Sequence, residues 1–226
     1  LKALDPCTGS GHFLTAALLM LVPMRMELER LSAREAVDAV LRENLHGLEI
    51  DKRCVELAAF AIAFAAWRYP QTKGYRQLPE LNLACSGLTI SVQKEEWLAL
   101  ANDNPNLQFT LDTLYNQFVH APMLGSLINP EAGFSKGKLV KIDWKQATPI
   151  LVKALSSERG NEMDEMGVVA QGIAKAAILL VKKYNWVITN VPYKNSSEMV
   201  TIAKEFFEIC CKDGKIALET VFLQRC

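Results

Sequence analysis

The chain opens on a short apolar strand pattern that runs directly into a glycine-rich turn. Residues 2–4 read as a strand, residues 5–11 (DPCTGSG) as the turn, and residues 13–29 carry apolar side chains at helical spacing. The glycines permit a tight turn and close approach of a ligand, and the next helix begins with N–H groups that lack intrahelical partners. Asp5, at the strand end, can accept from an ammonium group. The unit predicts a loop for a nucleotide-like or amino-acid-like ligand, although two turn glycines before a helix are also ordinary.

Strand and helix patterns continue to alternate after this unit. Ser32 is a predicted N-cap with Glu35 in the capping-box position, and Asp51 is a predicted cap for the helix that follows it. The predicted elements are a helix over 32–43, a strand over 45–50, a helix over 52–67 and a strand over 81–84. Such alternation predicts an α/β domain with a mainly parallel sheet.

Residues 91–161 interrupt the alternation. Prolines such as Pro105, Pro122 and Pro130 separate short apolar segments there, so the stretch is predicted to be a helical insertion within one domain spanning 1–226. After it, the patterns predict a helix over 168–183, a strand over 186–189, a helix over 198–211 and a strand over 215–221.

Composition limits the possible partners. The chain has 226 residues, 50% hydrophobic and 22% charged, which suits one globular domain with a sizeable core. Lys plus Arg and Asp plus Glu each number 25, so a polyanion must be gripped locally or by another domain. Six cysteines without a C-x-x-C pair and three histidines give no metal-ligand pattern and indicate reduced thiols in the cytoplasm. The longest apolar stretch, residues 58–67, is too short to span a membrane.

The end of the second predicted strand offers a second candidate binding position. A nucleoside at the carboxyl edge of a parallel sheet needs an acceptor for its ribose hydroxyls at the end of strand two. Glu49 lies there, and one carboxylate matches two hydroxyls. Ile50 can present an apolar face to a purine. The alternative is that Glu49 is a surface acid, as Asp51 is a helix cap.

These motifs resemble a known family. Residues 5–13 (DPCTGSGHF) are similar to the S-adenosylmethionine-binding motif D-P-x-x-G-S-G-x-F of N6-adenine DNA methyltransferases, especially the large single-chain enzymes of restriction-modification and phage-defence systems. Residues 48–51 (LEID) resemble the acidic motif that follows it. The resemblance implies a Rossmann-like S-adenosylmethionine-dependent methyltransferase core, with Asp5, Gly9 and Gly11 around the methionine part of the cofactor. The cofactor-binding residues that it implies are Asp5, Pro6, Gly9, Ser10, Gly11, Phe13, Glu49, Ile50 and Ser86.

A tetrapeptide after the predicted strand over 186–189 resembles the family's (D/N/S)-P-P-(Y/F/W) motif. Asn190, Val191, Pro192 and Tyr193 are its implied catalytic counterparts. An exocyclic adenine amine is a poor nucleophile, so an enzyme must aim acceptors at its N–H groups and hold it in line with the methyl group. The Asn190 side chain and the next carbonyl would do this, and Tyr193 would stack on a flipped-out base.

Three departures from the family pattern bear on activity. Val191 stands where the family has its first proline, so the acceptor pair loses a rigid φ angle. The third strand ends without an acid for the adenine amine, and Ser86 is the substitute there. The chain begins without methionine in what reads as a core strand, so we expect a fragment whose DNA-binding partner domain, the family's target-recognition domain, lies elsewhere.

Two alternatives share the same predicted core. RNA methyltransferases and glutamine-modifying protein methyltransferases use similar tetrapeptides, so RNA and protein are the alternative acceptors. The large insertion and the acid-free end of the third strand resemble the DNA enzymes more, so adenine N6 in DNA is the predicted acceptor. A degenerate scaffold in a defence complex is the non-enzymatic alternative, and Val191 and the missing third-strand acid favour it.

Overall fold

A computed structural model describes residues 1–90, 92–101, 104–130, 163–192 and 217–226. Its sheet has four parallel strands in the order β3-β2-β1-β4. The strands are β1 (Ala3–Asp5), β2 (Leu45–Glu49), β3 (Asn82–Cys85) and β4 (Trp186–Val187). This order confirms the predicted α/β class with a parallel sheet, and it agrees with a Rossmann-like core. Because the strands are parallel, the segments after β1, β2 and β4 all leave the same edge of the sheet.

One face of the sheet is covered by the three N-terminal helices. These are α1 (His12–Glu29), α2 (Ala33–Glu43) and α3 (Lys52–Arg68). Leu18, Val40 and Ile62 are buried in the cluster that joins these helices to each other. The predicted caps are confirmed, since Ser32 forms a capping box with Glu35 and the Asp51 side chain accepts from the Arg53 N–H.

The second core cluster joins the sheet to the insertion and to the C-terminal part of the chain. Its helices are α4 (Lys94–Ala99), α5 (Pro105–Phe118), α6 (Ala121–Leu124), a 3₁₀ turn (Gly125–Leu127), α7 (Met163–Val181) and α8 (Leu218–Arg225). Trp97 and Phe118 are buried together with Leu48 of β2 and Ile173 of α7. The described part of residues 91–161 therefore shares a core with the sheet, while residues 131–161 lie outside the described residues and the predicted insertion boundaries stay a prediction.

The predicted strand over 215–221 is wrong for its described C-terminal residues. Only Ala217 makes a strand-like bridge, and Leu218–Arg225 form α8. Val221 and Phe222 are buried while Thr220 and Leu223 are exposed, which is helical spacing rather than strand alternation. An acid in the first turn and Arg225 in the last turn also suit the helix dipole.

Two other predictions can be compared only in part. The strand predicted over 186–189 has a regular ladder only at Trp186–Val187, although the Ile188 N–H still donates to the Leu4 carbonyl at 2.9 Å. The helix predicted over 198–211 lies outside the described residues. In the part of the chain that the structure describes, no helix combines the length and apolar character needed to cross a membrane.

Candidate functional site

A cavity of about 520 Å³ lies at the carboxyl edge of the sheet. Its volume is within the range of small-molecule binding sites. Five segments line it, namely the loop after β1, the end of β2, the α6 and 3₁₀ corner, the segment after β4, and α8. The lining residues are Pro6, Cys7, Gly9, Glu49, Ile50, Met123, Leu124, Gly125, Ser126, Leu127, Asn190, Val191, Pro192, Leu218 and Phe222.

The cavity brings together residues from all three predicted motifs. Those that line it are Pro6, Gly9, Glu49, Ile50, Asn190, Val191 and Pro192. The predicted site residues that do not line it are Asp5, Ser10, Gly11, Phe13 and Ser86. Tyr193 lies outside the described residues. The glycine loop, the Glu49 carboxylate and the Asn190 amide thus share one cleft, although they are far apart in the sequence.

Thr8 connects the glycine loop to β2 through hydrogen bonds. Its N–H donates to the Leu48 carbonyl at 3.0 Å, and its Oγ1 lies 2.9 Å from the Asp5 carbonyl and 3.1 Å from the Leu48 carbonyl. Gly47 allows this close packing, because a Cβ there would lie 2.6 Å from Thr8 Oγ1. Gly47 was not among the predicted site residues, although a glycine inside a strand is a signal of close approach.

The loop turns at two glycines that have different surroundings. Gly11 is the α1 N-cap with φ +86°, and a Cβ there would meet the Ala58 backbone at 3.0 Å. Gly9, with φ +54°, has open space where a Cβ would be. Gly11 therefore serves the packing of α1 against α3, whereas Gly9 leaves room for a ligand to approach the backbone.

The Glu49 carboxylate joins the loop to the end of β2. Its Oε2 accepts from the Gly9 N–H at 2.8 Å, and its Oε1 accepts from the N–H groups of Ile50 at 2.8 Å and Asp51 at 3.2 Å. A carboxylate has about four acceptor positions, so one remains for a further donor. Glu49 is therefore a fixed acceptor at the wall of the cavity rather than a freely moving surface acid.

Asp5 lies beneath the loop with an unsatisfied oxygen. Its side chain is 0% exposed; Oδ1 accepts from the Cys7 N–H at 3.1 Å, and Oδ2 has no partner among the described residues. Burial, reinforced by the charge of Glu49, raises the pKa of Asp5 to about 6. The nearby Thr189 hydroxyl lowers the pKa of Asp5 and so offsets part of this rise, although Thr189 Oγ1 has no hydrogen-bond partner among the described residues. A buried carboxylate oxygen without a hydrogen-bond partner is stabilised by a cationic donor.

The Asp5→Asn variant is expected to be more stable than wild type at neutral pH. Folding raises the pKa of Asp5 from 3.8 to about 6, so the native state binds the proton more tightly and its stability falls as pH rises through that window. The amide cannot ionise, so the substitution removes a penalty on the order of 2–3 kcal/mol at about pH 7. Urea unfolding should show this gain at about pH 7 and little of it at about pH 4. An equal effect at both pH values would contradict a buried, ionisable Asp5.

Two glycines from other segments, Gly87 and Gly125, pack closely against Ile50. Gly87, after β3, approaches so closely that a Cβ would lie 2.1 Å from the Ile50 carbonyl oxygen. Gly125, with φ +50°, would bring a Cβ to 3.2 Å from Ile50 Cδ1. The Ile50 side chain remains 43% exposed and lines the cavity. The wall around it comes from residues 123–127, which sequence patterns assigned only to an insertion, and Gly125 is the single local signal of a tight turn there.

Two of the predicted cofactor-binding residues, Ser86 and Phe13, lie away from the cavity lining. Ser86 is fully buried, and its Oγ lies 3.2 Å from Ser126 Oγ instead of facing the cavity. Phe13 is 42% exposed on α1 and away from the cavity lining. Val191 is half-buried and packs against the larger core cluster, a contact to which its branched side chain contributes. Asn190 is exposed at the cavity.

The described lining of the cavity offers no cluster of metal ligands. Among the described residues, no group of three or more His, Cys, Asp or Glu side chains could hold a metal ion. The pKa of the Cys7 thiol is raised to about 12 by burial and by the charges of Asp5 and Glu49. Cys7 is therefore a neutral lining residue rather than a nucleophile.

The chain is a distant homologue of adenine-specific methyltransferases. It is 27% identical over 225 residues to the adenine-specific methyltransferase PglX of Lacticaseibacillus casei (strain Zhang), covering 98% of this chain and 18% of that protein. It is 26% identical over 247 residues to the adenine-specific methyltransferase BrxX of Escherichia coli O9:H4 (strain HS), covering 99% of this chain and 20% of that protein. No protein-family model matches the chain. The chain spans about a fifth of the length of these relatives, and the distant homology confirms the resemblance.

Proposed function

We propose that this chain is the methyl-transfer core of an enzyme that moves a methyl group from S-adenosylmethionine to N6 of adenine in DNA. The observation that carries the proposal is the shared cavity, which Gly9, Glu49 and Asn190 line from three separate segments. Ligands of open parallel sheets bind at this edge, outside the carboxyl ends of the strands. The distant homology to adenine-specific methyltransferases supports the same chemistry.

The cavity has the features that S-adenosylmethionine needs. Asp5 is buried beneath the loop and does not line the cavity, so the charge of its unpartnered Oδ2, rather than a direct contact, would favour the ammonium group of the methionine part. Glu49 has one remaining acceptor position for a ribose hydroxyl, and Ile50 offers an apolar face for the adenine ring. The open space at Gly9 lets the cofactor approach the backbone. Phe13 and Ser86 lie away from the cavity, so we assign them no direct cofactor contact.

Asn190 would act on the substrate amine. S-adenosylmethionine, when bound, supplies an electrophilic methyl group on a sulfonium that becomes a thioether on transfer. The Asn190 side-chain oxygen and the Val191 carbonyl would accept from the two N–H groups of N6, which favours a pyramidal nitrogen and directs its lone pair toward the methyl group. The nitrogen becomes cationic as the bond forms and then releases one proton, so a strong general base is not required.

The DNA would be held mainly by another part of the protein. The net charge of the chain is +0, so it has no global basic field for a phosphate backbone. A target adenine rotated out of the duplex would reach Asn190, which is exposed at the cavity, and Tyr193 would stack on its face. We assign sequence recognition to a target-recognition domain outside this chain.

A degenerate scaffold is the second candidate. It is favoured by Val191, which lacks the rigidity of proline, and by Ser86, which offers no carboxylate to the cofactor's adenine. The packing of Val191 into the core supports the opposite conclusion, because that contact can fix the backbone in place of the proline ring. Methyltransferases that act on RNA or protein have the same core, so only an assay with each acceptor can distinguish them from a DNA methyltransferase.

The test uses the full natural protein that carries this sequence. Tritiated S-adenosylmethionine should label duplex DNA, and hydrolysis of that DNA should return the label as N6-methyladenine. RNA and a protein mixture serve as competing acceptors in parallel reactions. Label in RNA or protein alone would overturn the DNA assignment. Calorimetry that detects no cofactor binding would leave the scaffold as the function.

A further inference from the structure

We propose that Ser126, in the corner between α6 and the 3₁₀ turn, is a positioning residue for the cofactor loop. Its hydroxyl donates to the Pro6 carbonyl at 2.6 Å, across 120 residues of sequence. Ser126 is buried and also lines the cavity. The proposal rests on the proposed function and assigns part of it to the insertion.

The direction of the hydrogen bonds follows from the available protons. Pro6 has no N–H, and its carbonyl can only accept, so Ser126 must use its single hydroxyl proton on that bond. The Ser86 hydroxyl, 3.2 Å from Ser126 Oγ, must then donate to Ser126. The Ser86 N–H in turn donates to the Glu49 carbonyl at 2.7 Å. A buried network thus runs from the end of β2 through the turn after β3 and the insertion to the loop after β1.

This network reaches both walls of the cavity. Pro6 begins the loop that carries Gly9, so fixing the Pro6 carbonyl fixes the orientation of the next peptide unit. On the opposite wall, Gly125 packs against Ile50 at a φ of +50°, which favours glycine. Adjacent residues of one corner therefore touch the loop and the proposed adenine-binding wall. The corner sets the distance between these walls, and with it the fit of the cofactor.

The test compares Ser126→Ala with Ser86→Ala in the full natural protein. Ser126→Ala should raise the KM and the calorimetric Kd for S-adenosylmethionine by about 5- to 10-fold, as expected from one lost buried hydrogen bond, with kcat within about twofold of wild type. Ser86→Ala leaves the Ser126 to Pro6 bond in place, so its Kd should stay within about twofold. The double variant should be no weaker in cofactor affinity than Ser126→Ala alone.

Thermal unfolding of both variants separates positioning from general stability. A purely structural role predicts that Ser126→Ala lowers Tm while the Kd at low temperature stays unchanged, and that result would overturn the proposal. Equal losses of affinity in the two serine variants would also overturn it. A wild-type protein that takes up no S-adenosylmethionine would overturn the proposed function and this proposal together, whereas normal binding with an unaffected Ser126→Ala variant overturns this proposal alone.

Discussion

The Asn190→Ala variant is expected to transfer methyl groups to DNA about 10²- to 10³-fold more slowly than wild type. This range corresponds to the loss of one preorganised hydrogen-bonding group from a transition state. Asn190 is exposed at the cavity, and its side chain has no structural partner in the described part of the chain, so cofactor affinity and Tm should stay near wild type. Single-turnover kinetics with tritiated S-adenosylmethionine measure the chemical step directly.

Asn190→Asp is the matched control for this prediction. Aspartate has nearly the same shape and keeps an oxygen acceptor, so it should retain far more activity than alanine, within about 10-fold of wild type. If alanine and aspartate were equally slow, the amide would act through shape or through its N–H₂ group rather than as an acceptor. If neither variant affected the chemical step, Asn190 would have no part in it.

Local signals account for what the sequence predicted well. Ser32 and Glu35 lie three positions apart, and each satisfies a backbone N–H of the other's segment. Asp51 caps α3 by accepting from the Arg53 N–H, two residues further on. The parallel sheet follows from alternation of strand and helix patterns, because each crossover helix needs a sheet face to cover. Such features depend on a few adjacent residues, so no tertiary information is required.

Long-range contacts account for what the sequence did not predict. The residues around Leu218 have β-compatible side chains, and only burial of Val221 and Phe222 at helical spacing distinguishes α8 from a strand. Ser126 meets Pro6 across 120 residues, and no periodicity encodes that contact. Glu49 could be predicted because the end of β2 is recognisable in the sequence. The opposite wall of the cavity comes from residues 123–127, which carry no recognisable motif.

The Glu49→Ala variant is expected to weaken S-adenosylmethionine binding by about 10- to 10²-fold. One ribose hydroxyl would lose its bond to the remaining acceptor position of the Glu49 carboxylate, and a bond to a charged acceptor contributes about 1.5–3 kcal/mol. The variant should also lose stability, because the carboxylate accepts from the N–H groups of Gly9, Ile50 and Asp51. Glu49→Gln keeps one acceptor oxygen and should fall between alanine and wild type. Calorimetry at a temperature where all variants are folded measures the affinities.

Asp51→Ala provides the matched control, since it removes a neighbouring carboxylate that is engaged elsewhere. Asp51 accepts from the Arg53 N–H at 2.9 Å and pairs with the Arg53 guanidinium at 2.6 Å, and it does not line the cavity. Its loss should lower Tm through the α3 cap and leave cofactor affinity within about twofold. Equal loss of affinity in the Glu49 and Asp51 variants would mean that charge or stability, rather than a ribose contact, governs binding. Unchanged affinity in Glu49→Ala would remove the ribose assignment, because Glu49 is the carboxylate that lines the cavity within the described residues.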